Sequence, residues 1–340
     1  MKLEKALRIG IDWLSLYNFD IEYDKSVEFT TEITAEYKQE RIRIEDPIFM
    51  IDSYERIYES GKVSRFKVLR FNPNKILFGH NIFNSREVEL KESLDYLKKL
   101  LYGRGIRLNL ENAKIREIEI NINFEKDFNE YQEALEIMFI SSPNLKKISN
   151  YNGGQKHSSM FLDGTFQANW KTYKCIAYDK KREVENKELI KTNLTRIEWQ
   201  MKSYIYCYYL EQLGLDSTLD CLIKNIEIID YIFREHTKKK LVKNAYSYID
   251  NSLKPNLERG YLRFKESSAL GRKIGVKIER NVYNYLEKNY WIFDYTYLIN
   301  IIEKYNTKNK KREKERVKNK YFHHNNLDKF NYLMEYIFPH

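Results

Sequence analysis

The chain has 340 residues, with 59 Lys and Arg against 49 Asp and Glu and a formal charge of +10. That length suffices for one large domain with a proper core and a smaller companion, and the basic excess favours a polyanionic partner. No apolar run approaches the ~18 residues that cross a bilayer, the amino terminus lacks a signal-peptide core, and Cys175, Cys207 and Cys221 show no metal-type spacing, so a soluble cytoplasmic protein with reduced thiols and no membrane partner is expected.

From residue 8 to about 204 the chain reads mainly as strands with helices inserted. Arg8–Leu16 and Val63–Phe71 are β-rich, and Lys75–His80 is a further short strand candidate. Leu90, Leu94, Leu97 and Leu101 give Ser85–Leu101 helical spacing. Ile118, Ile120, Ile122 and Phe124 then alternate with Glu117, Glu119, Asn121 and Asn123, the pattern of a half-buried strand. A helix is expected from Phe128 to about Phe139, then a loop rich in Pro, Asn and Gly over Ser142–Gly154. Strands follow at about Met160–Tyr178, with a break near Gly164, and at Leu194–Lys202.

Beyond residue 204 the pattern turns helical over Tyr204–Leu213, Thr218–Arg234 and Lys238 to about Asn251. Residues 269–287 have the look of a helix-turn-helix, with Arg280 and Asn284 on its exposed side; the same pattern fits an ordinary helical pair. Eight basic residues in Lys308–Lys320 form either a solvated helix or a phosphate-contacting tail. The expected fold is α+β, a largely antiparallel sheet with helices on one face, followed by a helical carboxy-terminal region. A split sheet with two small cores is the alternative. The expected domains are residues 1–215, carrying the chemistry, and 216–340, helical and basic.

Chemistry concentrates around Tyr178. Strand parity places Lys174, Ile176 and Tyr178 on one face, with Lys180, Lys181 and Arg182 just beyond. A phenol with a reference pKa of about 10 attacks a phosphodiester only with help from cations or a base. Glu119, Glu183 and Glu198, with His80 and Asn121, supply ligands suited to Mg2+ or Mn2+. Each has a plainer reading: Arg196 and Glu198 also fit a cross-strand ion pair, Glu119 a solvent face, and His80 a structural histidine.

Asn72-Pro-Asn-Lys-Ile-Leu-Phe-Gly-His-Asn-Ile-Phe-Asn84 resembles the Lys-Val-Leu-x-Gly-His-Asn-Val-Phe-Gly signature of filamentous-phage replication initiators, the gene II/X family. Later elements keep that family's order. Ile115–Phe124 stands where the family has Arg-Ile-Asp-x-Thr-Phe, Tyr178-Asp-Lys-Lys-Arg-Glu183 is similar to its Tyr-x-Lys-x-x-Glu, and Thr195-Arg-Ile-Glu198 to its Arg-Phe-Glu strand. Plasmid rolling-circle initiators show a similar tyrosine segment. The likeness covers roughly residues 8–235, with one departure: the acid of Arg-Ile-Asp is Asn121 here. Either Glu119 or Glu117 takes the acidic role, or other groups hold the ion.

The resemblance implies a rolling-circle replication initiator that nicks and rejoins DNA through a 5′-phosphotyrosyl intermediate and leaves a 3′-OH primer. It implies Tyr178 as nucleophile, Lys180 as charge stabiliser, and His80, Glu119, Glu198 and Glu183 as ligands of Mg2+ or Mn2+, with Asn121 a further candidate. Lys174, Lys181, Arg182, Arg196, Arg280 and Asn284 would contact DNA. The partners would be double- and single-stranded DNA at an origin, with host helicase and polymerase. A non-cutting DNA-binding regulator of the same fold, or a small conjugative relaxase, would keep many of these residues.

Overall fold

The computed structural model describes residues 4–25, 27–139, 161–162, 165–184, 190–248, 250–251, 254–255, 258, 295–305, 310–323 and 326–339. The helix-turn-helix candidate at 269–287, with Arg280 and Asn284, lies outside the described residues, as does the loop at 142–154. The chain divides into two compact units, Met1–Phe128 with Asn144–Glu235, and Asn129–Pro143 with His236–His340.

The first unit is built on one ten-stranded antiparallel sheet. Its strands are β1 (Gly10–Tyr17), β3 (Thr30–Ile33), β4 (Tyr37–Glu45), β5 (Phe49–Tyr58), β6 (Val63–Phe71), β8 (Lys114–Phe124), β9 (Phe161–Leu162), β10 (Thr165–Asn169), β11 (Tyr173–Asp179) and β12 (Thr195–Lys202). Their order is β3-β4-β5-β6-β1-β8-β12-β11-β10-β9, and every neighbouring pair is antiparallel. β2 (Asp20–Tyr23) and β7 (Ile106–Asn109) pair separately. The fold is therefore α+β with a large antiparallel sheet, and the sheet is continuous rather than split.

Helix α1 spans Glu4–Leu7, α2 Pro73–Phe78 and α3 Glu87–Tyr102. α2 replaces the short strand expected at Lys75–His80. Asn72 caps it, its side chain accepting from the Lys75 N–H at 2.9 Å, Pro73 enters the first turn, and Gly79 closes it at φ 72°. Those are strong start and stop signals, and they outweigh a few alternating apolar residues. In α3 the four spaced leucines are all buried. The Glu89 carboxylate accepts from the Arg86 N–H at 3.2 Å and pairs with Lys5 and Arg8 at 2.8 Å each.

β8 differs from its expected half-buried character: every residue from Ile118 to Phe124 is buried. Ile118, Ile120 and Ile122 share one face with Ile197, Trp199 and Met201 of β12, where helix α6 (Ser203–Gln212) packs on both strands. On the opposite face, Glu119, Asn121 and Asn123 meet Gln200, Glu198 and Arg196. That polar face is roofed in part by a small cluster of Ala6, Ile82, Val184, Ile190 and Leu194. The single strand expected at Met160–Tyr178 turns a second time at Trp170–Thr172, pairing β10 with β11.

The expected helix at Thr218–Arg234 breaks at Asn225 into α7 (Leu219–Lys224) and α8 (Ile228–Thr237). In the second unit, α4 (Phe128–Phe139) is followed by a π-helical turn at Lys238–Val242, α9 (Lys243–Tyr248), and helices Tyr295–Tyr305, Lys310–His323 and Asn326–Ile337. The Tyr131 and Tyr332 rings lie 5.8 Å apart there. Among the described residues no helix is long and apolar enough to cross a membrane.

Candidate active site

Strand register assembles the polar face. β12 sets Glu198 opposite Asn121 on β8 and opposite Ile176 on β11, and Arg196 opposite Asn123 and Tyr178. Lys174, Ile176 and Tyr178 therefore share a face with Arg196, Glu198 and Gln200. β1 adds a residue that parity alone conceals. Ile11 pairs with Ile120 and Leu14 with Ile118, so Asp12 and Trp13 together oppose Glu119. This is a β-bulge, which redirects side chains by placing two residues against one. Both Asp12 and Trp13 line a pocket of about 590 Å3 on this face, with Glu119, Tyr178, Glu183 and Glu198.

Three buried carboxylates converge there. Oxygen atoms of Asp12, Glu119 and Glu198 all lie within 4.8 Å of one another. Burial, then the other two carboxylates, pushes the Glu119 pKa well above the ordinary range. Burial and Asp12 likewise raise Glu198, against the pull of Arg196 and Lys180. Arg70 bonds Glu119 at 2.9 Å, and Arg196 bonds Asp12 at 3.0 Å. Asn121 sits beside them fully buried, with neither its amide nitrogen nor its amide oxygen hydrogen-bonded. Buried polar groups are normally paired. An all-oxygen donor set, repelling carboxylates and an unpaired amide fit a hard divalent cation such as Mg2+ or Mn2+.

The Tyr178 hydroxyl donates to Glu198 Oε2 at 3.3 Å. Burial, then the Glu198 charge, holds the phenol well above its usual pKa, with Arg196 opposing. The Lys180 ammonium lies 5.6 Å from the Tyr178 ring centre. Lys180 is completely buried and hydrogen-bonded to Glu183. Burial and the Arg196 charge lower its pKa to about 8, against the attraction of Asp12 and Glu183. Asp179 caps the short helix α5 (Lys180–Glu183), its side chain accepting from the Arg182 N–H at 3.1 Å; that turn brings Lys180 and Glu183 back beside the tyrosine.

Other sequence-selected residues take different places. Arg196 is wholly buried: Nε bonds Asn123 at 2.7 Å, and Nη2 bonds the Asn81 and Ile82 carbonyls at 2.8 and 3.1 Å. Its donors are spent inside the protein, which places it in the framework rather than at a DNA-contacting surface. His80 packs on Phe83, with ring centres 5.0 Å apart, and its Nδ1 accepts from the Ile82 N–H at 3.4 Å. Burial and the Lys180 charge depress its pKa. It is not among the converging groups. Lys174 is half-buried, Lys181 donates to Asn193 at 3.3 Å, and exposed Arg182 lines the pocket.

The Asn72–Asn84 segment builds the floor of the site. Asn72 donates to Asp12 at 2.9 Å, Asn74 to the Ile11 carbonyl at 3.1 Å, and Asn84 to the Ala6 carbonyl at 3.1 Å. Asp12 lies outside the sequence candidates; its local signal is an acid among apolar residues, Ile11-Asp-Trp-Leu.

No family model matches the chain, and no curated protein matches it. Among solved structures it is similar to a rolling circle replication initiator protein from Geobacillus stearothermophilus. Identity is 12%, with a TM-score of 0.30, over 67% of this chain and 84% of that one. A superposition that loose bears on neither mechanism nor substrate.

Proposed function

We propose that the protein is a metal-dependent DNA-nicking and -joining transesterase that initiates rolling-circle replication, with Tyr178 as nucleophile. The observation that carries this reading is the convergence of Asp12, Glu119 and Glu198 beside the Tyr178 hydroxyl, with the buried Lys180 ammonium against the ring. Asp12 supplies the acid that Asn121 lacks, so an amide at 121 does not argue for a chain that binds without cutting.

Asp12, Glu119 and Glu198 would hold Mg2+ or Mn2+, with Asn121 within reach as a neutral ligand. The ion supplies positive charge for the phosphate oxygens as negative charge builds on them. Glu198, whose Oε2 accepts the Tyr178 hydroxyl hydrogen bond at 3.3 Å, would take the phenolic proton. Lys180, held by Glu183, favours the phenolate as it forms. The Tyr178 oxygen bonds to phosphorus while the P–O3′ bond breaks, and O3′ takes a proton from solvent. The products are a 5′-phosphotyrosyl link and a 3′-OH that can prime a host polymerase; attack by a 3′-OH reverses the step and rejoins the strand. Arg196 acts as a positioning residue, locking Asp12 in place.

Incubating the protein with single-stranded origin oligonucleotides and Mn2+ should give an adduct that survives a denaturing gel. Tyr178→Phe should abolish it while leaving DNA binding intact. An adduct that persists in Tyr178→Phe would sink the assignment, and no adduct with the wild-type chain would favour a regulator that binds without cutting.

A further inference from the structure

The ten-stranded sheet ends at β3, and that end is open. β3 stands first in the strand order, so among the described residues its outer edge meets no other strand. All its residues are exposed. Alternation along an antiparallel pair decides which backbone groups the edge offers. The Thr34 N–H donates to the Tyr37 carbonyl at 2.9 Å. Thr30 and Glu32 therefore direct their N–H and C=O groups at β4, opposite Arg41 and Gln39, while Thr31 and Ile33 direct theirs outward. Proteins ordinarily blunt such an edge with Lys, Pro, a bulge or a covering segment. Phe29-Thr-Thr-Glu-Ile-Thr34 contains neither Lys nor Pro, and β3 pairs with β4 without a register shift. Its Thr, Ile and Phe residues are good strand formers.

Apolar surface gathers at the same edge. Ile33 is 74% exposed and Phe29 44%, and Phe29 is held edge-on against Tyr23, with ring centres 5.1 Å apart. Alternation puts Phe29, Thr31 and Ile33 on one face. An antiparallel copy of the strand, related by a two-fold axis through Thr31, sets Phe29 of each chain opposite Ile33 of the other. Thr31 then meets Thr31, and neutral Thr30 meets Glu32. The outward backbone groups of Thr31 and Ile33 find partners in the same register. Neighbouring registers fail, because like charges directly opposite destabilise a strand pair. An axis through Glu32 brings two Glu32 carboxylates together, and one through Thr30 sets Glu28 against Glu32. An axis through Ile33 reaches the Ala35–Glu36 bend within two residues. The edge is thus complementary to itself in backbone, charge and apolar contact at one register.

We propose that the outer edge of β3 pairs with a second copy of this chain, joining two sheets across a two-fold axis at Thr31. The contact is short, so the dimer forms in the micromolar range and depends on concentration. The pairing requires nothing of the nuclease reading, and its failure would leave that reading untouched. The test is light scattering on the nucleic-acid-free chain over a dilution series, which should show one chain mass rising to two by tens of micromolar. Thr31→Pro removes an N–H that β4 does not use, so this variant should melt like wild type and remain a monomer. Ile33→Lys, a change at an exposed side chain, should weaken the dimer at least tenfold. Cysteine substitution reads the register. Opposed residues lie about 5.5 Å apart between Cα atoms, so Thr31→Cys should form a disulfide-linked dimer under mild oxidation. Thr30→Cys, displaced from its own copy beyond the reach of a disulfide, should not, and neither should wild type. A wild-type chain that stays monomeric at tens of micromolar would overturn the proposal and leave the edge to a different partner. So would a dimer that survives both Thr31→Pro and Ile33→Lys, or cross-linking as efficient at Thr30→Cys as at Thr31→Cys.

Discussion

At the scale of single residues, the site is a set of groups displaced from their ordinary acidities by burial. Glu119 and Glu198 hold protons more tightly than usual because each is desolvated beside other carboxylates. A divalent ion relieves that repulsion, so binding should stabilise the fold by mass action. Mn2+ is expected to raise the Tm of the wild-type chain by several degrees. Glu119→Gln should start at or above the wild-type Tm without metal, because it removes one of the repelling charges, and gain little from Mn2+. A wild-type Tm indifferent to Mn2+ and Mg2+ would refute the metal centre.

Lys180 gives a second residue-level expectation, with the sign set by its depressed pKa. The folded chain releases this proton near pH 8, against a reference of 10.5 for the unfolded chain. Between those values the unfolded state binds more protons, so stability climbs with pH on this account, by about 3 kcal/mol in all. The cost of burying the charge is fully present below pH 8. Lys180→Met should therefore be more stable than wild type at pH 7, lose most of its adduct formation, and see its stability advantage shrink between pH 8 and 10.5. Denaturant melts across that range measure it; a difference constant with pH would count against a buried, charged lysine.

At the scale of elements, what was legible in the sequence depended on whether local pattern or long-range contact decided the outcome. The Ile118–Phe124 alternation located β8, and the leucine spacing located α3, because periodicity reports which side of an element meets a core. That both faces of β8 are buried was not legible, since the cover comes from Ala6, the Ile82 loop and Arg196, all distant in sequence. Asp12 escaped for a similar reason: parity assumes strict alternation, and the bulge against Glu119 breaks it. Nothing local marks Arg196 as buried, because a basic residue on a polar strand face has the same sequence pattern whether exposed or roofed. The Lys75–His80 error was avoidable, since Asn72, Pro73 and Gly79 spell out a short helix.

The bulged end of β1 also depends on a close backbone approach. A Cβ on Gly10 would lie 2.6 Å from the Asn84 Cβ, 2.8 Å from the Asn84 carbonyl carbon and 2.9 Å from the Ser85 oxygen. Two of those atoms are backbone, so the strand and the Asn84–Ser85 segment would have to part, opening the Ile11–Ser85 bridge. Gly10→Ala should cost about 2–4 kcal/mol, read as a lower urea midpoint, with weakened Mn2+ stabilisation because Asp12 is displaced. An unchanged midpoint would show that this contact is slack.

At the scale of the whole molecule, the first unit joins a carboxylate cluster and a tyrosine on one continuous antiparallel sheet, in a chain of net charge +10. With 28 tyrosines in the chain, the central claim is that one of them is the nucleophile. The direct measurement is to trap the adduct formed with a single-stranded oligonucleotide and Mn2+, digest protein and DNA, and locate the nucleotide-bearing peptide by mass spectrometry. The account predicts the modification on the peptide containing Tyr178, on its phenolic oxygen. A nucleotide attached to any other residue, or strand cleavage with no covalent link at all, would contradict it.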